Sequence, residues 1–118
     1  MGDHAMRSAV LATSRLAPWA ALIAALVGEA LHHQLLSDML RFRCELGSVA
    51  MGLGIAAISW GLMATGSAIS WLAARGEPDL PRLQTRRFIA QLGWLACALC
   101  AVGVAWQTLA TWLVPPCP

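Results

Sequence analysis

Three apolar runs, Leu16 to Leu36, Ser48 to Ala74 and Phe88 to Val114, fill most of this 118-residue chain. Each is long enough to cross a hydrocarbon layer of ~30 Å as a helix, which takes roughly 20 residues. The segments between them are short, so little polar surface is available for water. Charged residues make up 12% of the chain and apolar ones 58%, whereas a soluble domain carries about 25% charged residues. No stretch alternates apolar and polar residues over the roughly ten positions of a membrane barrel strand. The pattern predicts an all-α fold, a three-helix transmembrane bundle. It forms one membrane domain over residues 1–118, with helices at about 16–40, 48–74 and 81–114. The second and third runs exceed a single crossing, which implies tilt or protruding ends.

The basic residues give the bundle a direction. All eight are arginines. Arg7 and Arg15 precede the first run, and Arg75, Arg82, Arg86 and Arg87 lie between the second and third. Only Arg41 and Arg43 occupy the first loop. Cytoplasmic loops collect Lys and Arg, so six against two predicts a cytoplasmic N-terminus and, after three crossings, a periplasmic C-terminus. The first run continues through Leu31 and Leu35 to Leu36 and is too long for a cleaved signal core.

Several residues suit this arrangement. Pro18 falls in the first helical turn, where its missing N–H costs nothing, and Trp19 suits the headgroup level. In the second helix Ala57, Gly61 and Thr65 recur every four residues, a stripe along which another helix could pack closely. The neighbouring helices of the same chain are the first expectation for that stripe, and a larger membrane partner the alternative. Gly93, Ala96, Cys97, Cys100 and Gly103 mark a similar seam on the third helix.

The four cysteines fall into two pairs. Cys44 and Cys117 both lie just beyond the predicted outer face, where an oxidising space favours pairing. A structural disulfide is the leading reading for them, with free thiols or metal binding as alternatives. A copper site would draw on Met39 and Met51. Cys97 and Cys100 form a C-x-x-C inside a membrane helix. Redox motifs of that kind need an exposed thiolate, so these two read as small packing residues.

Glu29, His32 and His33 make the most polar part of the first helix, and their spacing of three and four puts them on one face. E-x-x-H is half of a di-iron carboxylate motif. The other spans supply no acidic or histidine partner, so neither that centre nor bis-histidine haem ligation can be assembled within one chain. A Glu in mid-membrane costs on the order of 2–3 kcal/mol and is usually functional or paired. Gln34 stands ten residues before Cys44, and Gln107 ten before Cys117. If both helices run outward in register, the two amides share a depth, with His32 close by. A His32–Gln107 or Gln34–Gln107 bond would then join the first and third helices.

The segment His32-x-Gln34 followed by Cys44, then Phe88-x-Ala90-x-x-Gly93, Gln107 and Pro116-Cys117, resembles small three-helix bacterial inner-membrane proteins that accompany haem-copper terminal oxidases. The spacing agrees along the first and third helices, while the second is alike only in being apolar. Arg41-Phe42-Arg43 stands where that group carries an aromatic, Pro-containing stretch. The resemblance implies a non-catalytic accessory or assembly subunit of a larger complex in the bacterial inner membrane, without its own redox centre.

No Ser–His–Asp set, phosphate loop or nucleotide fingerprint can be assembled, so the chain is not expected to be an enzyme. No cofactor, resident metal, nucleic-acid partner or small-molecule substrate is expected. The expected partners are the bilayer and larger integral membrane subunits. Two other functions remain open: a metal or haem delivery factor using the two outer cysteines, or a small oligomeric transporter or pore around Glu29.

Overall fold

The computed structural model describes residues 2–6, 15–42, 49–75 and 83–114. Cys44, Ser48, Arg82 and Cys117 lie outside the described residues, and with them the expected disulfide. Among the described residues the fold is all-α. A short 3-10 turn, Ala17–Trp19, opens directly into α1, Ala20–Phe42; α2 is Val49–Ala74 and α3 is Leu83–Leu113. All three are long and apolar enough to cross a membrane. They form an up-down-up bundle in which each helix touches both of the others.

The seam explains why these helices associate. On α2 the buried positions Gly52, Ala56, Ser59, Met63, Gly66, Ser70 and Ala73 alternate steps of four and three, and Ala74 at the helix end is buried as well. Ala21, Ala25, Gly28 and His32 continue the same rhythm on α1, as do Ala90, Gly93 and Cys97 on α3. That spacing suits the shallow left-handed crossing common in membrane bundles. Lipid tails are as apolar as leucine, so no hydrophobic drive pulls helices together, and small residues supply close van der Waals contact instead. A Cβ on Gly93 would lie 2.7 Å from Ala21 Cβ and 2.9 Å from Leu22 N. On Gly66 it would run into Ala24 and the backbone of Ala20. The outer surface carries the large side chains, among them Ile23, Leu26, Leu95, Leu99, Val102 and Trp106.

This seam corrects the stripe predicted on α2. Ala57, Gly61 and Thr65 face outward, and a Cβ on Gly61 or Gly54 would meet no atom within 4 Å. At about 100° per residue, Gly61 lies nearly opposite Met63 and Ser70. Small residues occur all round α2, so four-residue spacing could not select the inner face. Ser70 marks that face: it is fully buried and its hydroxyl bonds to the opening of α1, whereas the equally buried Ser59 Oγ finds no partner among the described residues.

Hydrogen bonds to backbone tie the helices across the seam. The Ser70 hydroxyl accepts the Ala21 N–H at 2.8 Å and donates to Pro18 O at 3.1 Å. It thereby serves backbone groups left open where the 3-10 turn passes into α1. Trp60 Nε1 donates to Ala101 O, and Trp94 Nε1 donates back to Ser67 O, each at 3.2 Å. At the end shared by the start of α1, the end of α2 and the start of α3, Arg87 Nε donates to Ala74 O. There too the Arg75 guanidinium lies 4.2 Å from the centroid of Trp71.

Substituting the seam should therefore differ sharply from substituting the outer stripe. Gly93→Ala or Gly66→Ala is expected to destabilise the bundle by about 1–3 kcal/mol through overpacking. Gly61→Ala should change stability by less than about 0.5 kcal/mol. Unfolding of the purified variants by SDS titration in mixed micelles measures both.

Candidate functional site

The polar residues of α1 gather at its middle and face α3. Glu29 stands at the centre of the Ala17–Arg41 span, and His32, one turn on, is completely buried. Gln107 of α3 links the two. His32 Nδ1 lies 2.8 Å from Gln107 Oε1, and Gln107 Nε2 donates to Glu29 Oε1 at 3.1 Å. Gln107 gives an N–H to the carboxylate and turns its oxygen to the imidazole, so the hydrogen in the shorter bond belongs to His32 Nδ1. On the far side of the ring, Thr108 Oγ1 approaches Nε2 at 3.5 Å while donating to Val104 O at 2.7 Å. The result is a chain Glu29–Gln107–His32 that bridges α1 and α3 in mid-membrane, with Thr108 beside the ring.

One oxygen in this chain has no partner. Glu29 Oε2 is buried and accepts no hydrogen bond among the described residues. Gly103 faces it: a Cβ there would lie 3.7 Å from Oε2 and 3.9 Å from Oε1. Those are ordinary van der Waals distances, so Gly103 packs beside the carboxyl group without being required by it. An unpaired buried polar atom costs about 1–3 kcal/mol, a cost that Glu29 Oε2 shares with Ser59 Oγ.

The predicted polar residues separate into two groups. Glu29, His32 and Gln107 come together. Gln34 does not join them: it is exposed, and its Nε2 donates to Asp38 of the same helix at 3.2 and 3.3 Å. The reason is angular, since Gln34 lies two residues past His32, about 200° round the helix. His33 is also exposed. It turns to a groove between α1 and α3 that Gln107 lines from the other side. Of the packing glycines, Gly93 meets Ala21, while Gly103 meets Glu29.

The C-x-x-C divides in the same way. Cys97 is buried, with Sγ 3.1 Å from Ala21 O and 3.8 Å from Met63 O, so it serves both neighbours as a small, weakly donating contact. Cys100 is a half-buried free thiol. No group of three His, Cys, Asp or Glu side chains comes together among the described residues. Thr108 was missed by sequence reasoning, although its place next to Gln107 on a helix facing His32 was the available signal. Ser70 was likewise overlooked as a backbone clasp.

With this geometry established, comparison with protein-family models, curated proteins and solved structures finds no match to the chain.

Truncating Gln107 tests the bridge. Gln107→Leu leaves both Glu29 and His32 unsatisfied and should cost about 1–3 kcal/mol. A double-mutant cycle of His32→Ala with Gln107→Ala should return a coupling of about 0.6–1.7 kcal/mol, the range for interhelical bonds in bilayers. Unfolding in mixed micelles reads the four species of the cycle.

Proposed function

We propose that this chain is a non-catalytic accessory or assembly subunit of a larger integral membrane complex, a respiratory haem-copper oxidase of a bacterial inner membrane. The observation behind this reading is the outward stripe Gly54–Ala57–Gly61–Thr65 on α2. Side chains meeting only lipid gain contact by being large, as they are elsewhere on the surface. Small residues on a lipid face instead allow another helix to come close. The Thr65 hydroxyl donates to Gly61 O of its own helix at 2.8 Å, so the stripe needs no polar partner and offers a flat apolar surface. The partner's chemistry is drawn from the resemblance along α1 and α3.

The alternatives have less support. A pore built around Glu29 needs that carboxylate to face the axis of an oligomer, whereas it is bonded to Gln107 of its own chain. Delivery of a metal or haem would rest on Cys44 and Cys117, which lie outside the described residues. In the proposed orientation the end bearing Arg15, Arg75, Arg86 and Arg87 faces the cytoplasm, and both outer cysteines face the periplasm.

Two experiments examine this reading. Solubilising native membranes in mild detergent should recover the protein with larger subunits and haem absorbance. Gly61→Leu should remove those companions while leaving the unfolding of the isolated bundle unchanged, and recovery of a lone wild-type monomer defeats the proposal. Membrane-impermeant maleimide applied from the periplasmic side, after reduction, should modify Cys44 and Cys117 together. Modification of one alone contradicts the orientation.

A further inference from the structure

We propose that the groove between the last two turns of α1 and α3 binds the head of a neutral, membrane-soluble amphiphile whose ring carbonyls accept hydrogen bonds, the chemistry of a prenylated quinone. The groove has a volume of about 490 Å³, within the range of roughly 300–1,000 Å³ typical of small-molecule sites. Its two walls carry the same sequence of side chains. Along α1 come His33, Ser37 and Leu40; along α3 come Gln107, Thr111 and Val114. Each wall thus carries two polar side chains one turn apart, followed by an apolar residue near the helix end. The Thr111 hydroxyl already donates to Thr108 O at 2.6 Å, which leaves His33, Ser37 and Gln107 as donors.

The order of those groups selects the occupant. His33 and Gln107 each lie seven residues, about 10 Å, inside the Leu40–Val114 rim. A phospholipid would put its charged head at the rim and its tails at depth, the reverse of this polarity. Among the described residues no Asp, Glu, Lys or Arg lines the groove, so none of these offers a phosphate or ammonium group a counter-charge. A neutral ring whose oxygens reach below the headgroup layer matches both the depth and the lack of charge. His33 and Ser37 are exposed and can each donate a hydrogen bond. Gln107 is already oriented, because its amide is held between His32 and Glu29. Its Nε2 has a second hydrogen beyond the one given to Glu29. Such fixed donors favour binding, since little side-chain freedom is lost when the ligand arrives. This site needs no second subunit and is independent of the outer stripe on α2.

The test uses the full chain in phosphatidylcholine nanodiscs with a photoreactive azidoquinone, competed by decylubiquinone. Labelling should saturate, map by mass spectrometry to residues 33–40 or 107–114, and be displaced by decylubiquinone but not by added phosphatidylglycerol. Ser37→Leu and His33→Phe each remove a surface donor and should weaken binding about tenfold. Ile58→Ala, on the outer face of α2, should leave it unchanged. Labelling spread evenly around the bundle, equal labelling in all variants, or displacement by phosphatidylglycerol alone overturns the proposal. The last outcome would make the groove a phospholipid site.

Discussion

A bilayer interior gives a polar group nothing to bond with, and every unusual feature of this bundle follows from that poverty. The three helices satisfy their own backbones, but a serine hydroxyl, an imidazole or a carboxyl group must find a protein partner or remain orphaned. Ser70, His32 and Gln107 all solve the problem by reaching across to another helix. Each of these bonds requires the helices to be close, and closeness requires Gly66 and Gly93 where α1 crosses its neighbours. Polar glue and small residues are therefore two halves of one device. Neither would hold the bundle alone, because dispersion is also available from lipid, and a hydrogen bond falls off steeply once the backbones separate.

Glu29 shows the limit of the device. Gln107 has one amide to divide between a carboxylate and an imidazole, and it leaves Oε2 unanswered. A core chosen for stability alone would place an apolar residue there. The bundle instead sets the carboxyl group beside Gly103. The surface divides as plainly as the core does. One side of α2 is flat and small, the cleft between α1 and α3 is polar at depth, and the rest is the leucine, valine and tryptophan expected against lipid.

The sequence was an unequal guide to these parts. Helix number and extent were legible because hydrocarbon thickness imposes a minimum length on each apolar run, and the loops interrupt those runs clearly. The His32–Gln107 pair could be foreseen because Gln34 and Gln107 stand ten residues before Cys44 and Cys117, with His32 close to that depth. Gln34 misled, since depth along a helix says nothing about angle around it. The inner face of α2 was hidden by the abundance of Gly, Ala and Ser on all its sides, and spacing gave no preference. Hydroxyls did not settle it either, since Ser70 reaches across to α1 while Thr65 satisfies its own hydroxyl on its helix and faces outward.

The clasp at Ser70 bears on how the chain is made. The carbonyls and amide it serves belong to the opening of α1, which leaves the ribosome about fifty residues earlier. Until α2 has entered the membrane, that opening depends on water or headgroups for its hydrogen bonds. The entry turn of the first helix is therefore completed only when the second is paired with it.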